Sequence, residues 1–235
     1  MPKPAGATRF FPPILIISLA LSLLLNGYFL IKSRGDAVVA RVFDGDTFEL
    51  TDGKRIRLMG VDAPEVDLCM GEEAKNHLTA LIAGKHVRLK HTLTDDYGRI
   101  VSIVIREDLD SWMTYLKDRL LSHFSGDPLI NRAMLTAGLV LNTGFADDYR
   151  ETMNHASEQA REASIGIYSP TCRQADPIDA CRIKGNLRSS TKTYYLPDCK
   201  AYTQTIVDLS FGDRWFCTES EAQKAGFVRA ANCPR

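Results

Sequence analysis

The 235-residue sequence has no surplus of charge of either sign, because 29 Lys and Arg offset 29 Asp and Glu. That argues against a broad DNA-coating role: any polyanion must be held by a local cluster, such as a small phosphate site. The six cysteines contain no Cys-x-x-Cys pair, and no histidine follows His155. Structural zinc sites usually draw on such pairs or on mixed Cys/His sets, so zinc is a poor reading of these cysteines. No charged residue occurs in the 22 positions from Phe10 to Ile31, and no small-residue A-x-A-like cleavage site ends the run.

Each of these absences points to something present. As a helix, the uncharged run would reach ~33 Å, enough to cross a ~30 Å hydrocarbon core. It is expected to be an uncleaved transmembrane signal anchor over residues 10–32, behind a short flank of residues 1–9. The flanking Lys3 and Arg9 against Lys32 and Arg34 barely choose an orientation. An even number of cysteines without metal spacing reads as disulfides, which places the rest of the chain in an oxidising compartment, periplasmic or extracellular. A cleaved run would make the protein secreted instead. Six cysteines allow fifteen connectivities.

Beyond a polar joint at residues 33–36, the pieces AVVARV, DTFEL and KRIRLMG alternate apolar and polar residues and read as a three-stranded meander. Asp44-Gly45 between the first two is a hairpin signal, the glycine supplying the positive φ of a tight turn. GEEAKNHLTALI, from Gly71 to Ile82, sets Ala74, Leu78, Leu81 and Ile82 at helical spacing. KHVRLKH and RIVSIVI follow as two more strands, then helices near Leu129–Ala137 and Arg150–Ser164. Five strands with a helix between the third and fourth is the order of an OB-fold, a five-stranded β-barrel, here with helices added (α+β). Residues 108–126 hold an amphipathic insertion with Trp112, Leu116, Leu120 and Phe124 four apart, either covering the core or docking a partner. Residues 170–180 form a Pro- and Cys-containing linker, and residues 181–235 a small α/β module.

Carboxylates and arginines recur at the strand ends. Asp46 in the turn and Asp62 after the third strand can approach each other and offer two hard oxygen ligands to calcium or magnesium. Arg57 and Arg99 suit a phosphate, whose oxygen pairs a guanidinium matches with two hydrogen bonds. Glu65, set by the preceding proline, is free to act as a base or to position water.

DGDT (Asp44–Thr47), RLMGVDAPE (Arg57–Glu65 with the intervening residues) and TDDYGR (Thr94–Arg99), in that order, resemble the staphylococcal nuclease family, the thermonucleases. GEEAKNHL and INRAMLTAGLV look like the family's first two helices, and the resemblance covers residues 37–169. It implies a calcium-dependent phosphodiesterase that acts on DNA, and on RNA as a second substrate, leaving a 3′-phosphate and a 5′-hydroxyl. Asp46, Asp62 and the Ala63 carbonyl would hold Ca2+, Arg57 and Arg99 would clamp the phosphate, Glu65 would activate or orient water, and Tyr97 would contact the nucleotide. Ala63 stands where the best-known member has threonine, keeping the carbonyl but losing the hydroxyl. GLVLNTGF lacks the tyrosine on which some members stack a base, Phe145 being the nearest aromatic.

The tail looks like a module that often follows such domains and, more distantly, like the zinc-binding module of a bacterial DNA alkylation-repair protein. That likeness pairs Cys199 with Cys233 and leaves Cys181 with Cys217 and Cys69 with Cys172. The tail either holds substrate through Lys184, Arg188, Lys192 and Arg214 or simply caps the fold. No obligate protein partner is inferred; the expected partners are nucleic acid and, through the anchor, the membrane. The alternative to an enzyme is a catalytically silent OB-fold module that binds nucleic acid at the membrane.

Overall fold

The computed structural model describes residues 17–19, 21–25, 37–107, 128–144, 147–177 and 180–234. The chain divides into two units, Met1–Asp36 and Ala37–Arg235. In the first, residues 17–19 and 21–25 are helical and exposed. No helix among the described residues is long and apolar enough to cross a membrane. Most of the expected 10–32 anchor lies outside the described residues, and so does the 108–126 insertion.

The second unit starts with the meander: β1 (Val39–Val42), β2 (Thr47–Leu50) and β3 (Arg55–Leu58), antiparallel neighbours, followed by the two-residue β4 (Val61–Asp62). Helix α1 (Gly71–Ile82) buries Ala74, Leu78 and Ile82 of the predicted apolar stripe, and leaves its fourth member, Leu81, half-buried against the same core. Strands β5 (His86–Thr94) and β6 (Ile100–Glu107) pair antiparallel, and β6 runs parallel to β3. The sheet order is therefore β1-β2-β3-β6-β5. No continuous ladder closes it into the expected barrel. Its edges meet at one isolated bridge, Val38 to His86, beside hydrogen bonds from Val39 N to Lys85 O (3.0 Å) and from Val87 N to Ala37 O (2.9 Å). Strand β1 is only four residues long and bulged between Val39 and Arg41, and a bulge bends a strand away from its neighbour.

Helices α2 (Ile130–Thr136) and α3 (Arg150–Glu162) are each slightly shorter than the sequence pattern predicts. Between them, β7 (Leu141–Asn142) pairs with β4. Phe48, Ile56, Leu58, Leu78, Ile103, Ile130 and Met134 fill one core, each at most 1% exposed. The buried Asn131 ties α2 to the sheet, its Oδ1 accepting from Val104 N and its Nδ2 donating to Met59 O and Ser102 O. A buried amide with both ends satisfied fixes one register of helix against sheet.

The tail comprises β8 (Arg173–Gln174), β9 (Ile183–Arg188), β10 (Thr191–Tyr195), β11 (Val207–Asp208), β12 (Arg214–Phe216), α4 (Glu219–Lys224) and β13 (Val228–Arg229). Its main sheet has the order β12-β9-β10-β13 around Ile183, Tyr194, Phe216, Ala222 and Phe227. The Asp213 carboxylate, fully shielded, accepts from Asn186 Nδ2, Leu187 N and Asp208 N. Lys184 does not face substrate: it is 1% exposed, and its ammonium donates to Tyr202 O (3.0 Å) and Thr205 O (2.7 Å). Burying an ammonium is tolerable only with such partners, and they leave it no role in substrate holding.

Three disulfides join Cys69 to Cys172, Cys181 to Cys217 and Cys199 to Cys233, and no cysteine is free. Two lie wholly in the tail, whose core is too small to be secure on burial alone. Each cross-link contributes ~2 to 4 kcal/mol, mainly by restricting the unfolded chain. Alkylation without reductant should therefore label no thiol. On reduction, hydrogen exchange should open β9 and β10 well before β2, β3 and β6; opening of both sheets together would refute the tail's special dependence on its cross-links.

Candidate active site

The site begins in the β1–β2 turn. Asp44 Oδ1 accepts from Asp46 N (2.9 Å) and Thr47 N (2.7 Å), folding the loop back on itself. Gly45 is not at positive φ, contrary to the sequence-based reading of this turn. Its role is clearance: a Cβ there would stand 2.5 Å from Ala74 Cβ and 2.7 Å from Ala63 Cβ. Only a glycine lets the turn press against both α1 and the chain after β4. Asp46 is thereby carried inward until it is 2% exposed, and its backbone oxygen accepts from Leu58 N (2.8 Å).

Asp46 and Asp62 meet at a single guanidinium. Arg57 donates from Nη1 to Asp46 Oδ1 (2.5 Å) and from Nη2 to Asp62 Oδ1 (2.6 Å). Asp46 Oδ1 also accepts from Thr47 Oγ1 (2.8 Å), and Asp46 Oδ2 from Ala63 N (2.9 Å). Burial pushes the Asp46 carboxyl up to about 6, against the downward pull of Arg57 and of the Ala63 amide. Burial also works against the charge on Arg57, but Asp46 and Asp62 outweigh it and hold the guanidinium above its ordinary value.

Arg57, Glu65, Tyr97 and Arg99 line one open cleft of about 1050 Å³, together with Gly53, Lys54, Arg55, Gly98 and Ile100. The Asp95–Arg99 turn sets Arg99: Asp95 Oδ1 accepts from Tyr97 N and Arg99 N, and Asp95 Oδ2 from Arg99 Nε (2.8 Å). Among the described residues that leaves the two terminal nitrogens of Arg99 as free donors in a side chain that lines the cleft. Its guanidinium carbon lies 5.4 Å from the centre of the Tyr97 ring, which is 85% exposed. Glu65 is exposed, and its carboxylate accepts no hydrogen bond from a described residue. Its backbone is fixed instead: Glu65 O accepts from Leu68 N (2.9 Å), and a Cβ on Gly71 would stand 1.9 Å from that oxygen.

The six expected site residues on side chains, Asp46, Arg57, Asp62, Glu65, Tyr97 and Arg99, thus surround one region. Sequence reasoning missed Thr47 and Asp95, which orient Asp46 and Arg99, and Lys54 and Arg55, which line the same cleft. Asp95 stands four residues before Arg99, a spacing that could have revealed it. No group of three or more His, Cys, Asp or Glu side chains gathers at one point among the described residues. The two carboxylates share one guanidinium and keep a net negative charge, and Ala63, whose N–H donates to Asp46 Oδ2, accepts at its carbonyl from no described donor. Two carboxylates and a carbonyl suit a hard cation that fills its remaining coordination with water.

Residues 55–170 match the family of staphylococcal nuclease homologues. The chain carries a staphylococcal nuclease-type domain. Asp46 precedes the matched residues and joins this domain's site through Arg57 and Ala63. Residues 160–229 match a second family, ArfC. The chain is similar to an uncharacterized endonuclease of Escherichia coli, with 41% identity over 73 residues, 30% of this chain and 48% of the relative. An uncharacterized endonuclease of Haemophilus influenzae is 30% identical over 45% of this chain and 64% of its own length. A probable staphylococcal-like nuclease of Oryza sativa is 34% identical over 42% of this chain and 23% of its own length. The chain thus spans about half the length of the Escherichia coli protein it matches.

Clearance at Gly45 is directly testable. Gly45→Ala should destabilise the nuclease-type domain by about 1 to 3 kcal/mol, since the new methyl meets Ala63 and Ala74 with no room to move. Urea unfolding measures it, and a midpoint equal to that of the unsubstituted chain would disprove the packing role.

Proposed function

We propose that this chain is a calcium-dependent nuclease that cleaves DNA, with RNA as a second substrate, to 3′-phosphate and 5′-hydroxyl products. One observation carries the reading: Arg57, Glu65 and Arg99 line a single cleft, and Arg57 itself is held by Asp46 and Asp62. The nuclease-type domain and the relatives named as endonucleases or nucleases support the same reaction class. A silent nucleic-acid binder has no use for two carboxylates beside its phosphate site, where they repel the ligand unless a cation intervenes.

Arg99 presents its terminal nitrogens, and Arg57 its Nε–H, to the non-bridging oxygens of the phosphodiester, where negative charge grows in the transition state. Glu65, solvent-exposed and without a hydrogen-bond partner among the described residues, holds a water in line and takes its proton. The water oxygen bonds to phosphorus, the bond to the 5′ oxygen breaks, and that oxygen leaves as a hydroxyl after taking up a proton from solvent. Asp46, Asp62 and Ala63 O would hold the cation, which supplies Lewis-acid polarisation of the phosphate and of the water. Tyr97 covers the Arg99 side of the bound nucleotide.

The uncharged run at residues 10–31 and the three disulfides support a single-pass membrane protein with its catalytic domain facing outward, in the periplasm or outside the cell. Protease added to intact spheroplasts should digest the domain, and recovery of a soluble form starting near Ser33 would mean that the run is cleaved.

Full-length protein in detergent should release acid-soluble nucleotide from single-stranded DNA with calcium and none with chelator. Asp46→Ala should abolish release while the circular dichroism spectrum persists. Arg99→Lys should cost at least ~10²-fold, because an ammonium cannot reproduce a two-pronged contact on the developing charge. Binding of DNA without any release by the unsubstituted chain would favour the silent module; a fully active Arg99→Lys would remove Arg99 from the reaction.

A further inference from the structure

The cleft does not stop at the reacting groups. It continues along β3 to the hairpin tip, where Gly53, Lys54 and Arg55 form its wall, with open space around Gly53. Alternation on β3 decides what faces it: Ile56 and Leu58 point into the core at 0% and 1% exposure, so Arg55 and Arg57 share the outer face. Two residues apart on a strand, they stand ~6.6 Å from each other along it, on the scale of one backbone repeat of an extended single strand.

Arg55 is set up for a ligand. Its guanidinium carbon lies 4.8 Å from the centre of the Phe43 ring, where Arg41 also stacks at 4.6 Å. A ring face orients a guanidinium without consuming its N–H donors. Arg41 and Arg55 share the Glu49 carboxylate, but Arg41 takes the closer contact at 3.2 Å and Arg55 Nε stands off at 3.8 Å. Lys54 pairs with Asp52 at 2.7 Å. Three cations therefore face two carboxylates, a local positive excess in a chain of zero net charge. Charge-assisted contacts from an oriented guanidinium are what a phosphate requires.

We propose that Arg55, supported by Phe43 and Lys54, forms a second phosphate subsite one nucleotide from the cleaved bond, so that the substrate is an extended single strand rather than an isolated phosphodiester. This deepens the nuclease reading and rests on it.

The test compares two substrates on the full chain: a ten-nucleotide single-stranded DNA and bis(p-nitrophenyl) phosphate, which carries one phosphodiester. Arg55→Ala should raise KM for the oligonucleotide about 10-fold while kcat holds, a loss at least ~5-fold larger than on the single phosphodiester. The slope of log kcat/KM against log salt should fall by ~0.7, one single-strand phosphate contact. Arg55→Lys should keep that slope while recovering only part of the affinity. Equal losses on both substrates would mean a structural role for Arg55, and no loss on either would mean no subsite; both overturn the proposal. If the unsubstituted chain cleaves neither substrate, the nuclease reading fails. Fluorescence anisotropy with the same oligonucleotide then still decides the subsite, an unchanged Kd for Arg55→Ala refuting it.

Discussion

One guanidinium holds the nuclease-type domain's site together. Arg57 sits on β3, yet its two terminal nitrogens bind carboxylates from the β1–β2 turn and from the end of β4. Neither carboxylate would be comfortable alone. Asp46 is buried deeply enough that its carboxyl is raised to about 6 even with Arg57 beside it, so desolvation already exceeds what one ion pair returns. Two more lone pairs of Asp46 are met by Thr47 Oγ1 and Ala63 N, leaving one on Oδ2, and these contacts turn a costly burial into a geometric constraint. The turn, β3 and the chain after β4 cannot shift independently without leaving a charge stranded.

That constraint explains why parts of the site could be read from sequence and others could not. DGDT and RLMGVDAPE carry the charged partners in fixed local order, and strand alternation puts Arg57 outward between Ile56 and Leu58. The α1 stripe is equally direct, because Ala74, Leu78 and Ile82 repeat at the helical period. Contacts between elements leave no such signature. The parallel pairing of β3 with β6 and the short β4–β7 pair join segments about 40 and 80 residues apart, and two-residue strands carry no periodicity. Gly45 escapes the local turn rule for a related reason: its neighbours Ala63 and Ala74 are remote in sequence. Lys184 misled by composition, since a lysine on a short strand reads as surface charge until Tyr202 and Thr205 are seen to enclose it.

The tail bears on the site through the loop that carries Glu65. After Pro64 this loop turns twice, Leu68 N donating to Glu65 O and Gly71 N to Leu68 O, before α1 begins at a left-handed Met70. Cys69 lies in that loop and is bonded to Cys172, while its amide donates to Leu209 O at 3.4 Å and Leu209 N donates to Cys172 O at 2.8 Å. Residue 209 belongs to a one-turn helix that Asp208 caps through Ser210 N, next to β11. The ArfC-matched segment therefore meets the nuclease-type domain at the base of the Glu65 loop.

This docking would reconcile two demands that the role proposed for Glu65 makes on it. A carboxylate that takes a proton from water must stay solvated and unpaired, but a group on an exposed loop wanders and loses the geometry that makes it effective. Here the side chain has no hydrogen-bond partner among the described residues, while the backbone beneath it is pinned at Glu65 O by Leu68 and by the close approach of Gly71. A covalent bond at Cys69 then fixes the loop from the tail's side. Rigidity comes from the main chain and the cross-link, so the carboxylate stays free for chemistry.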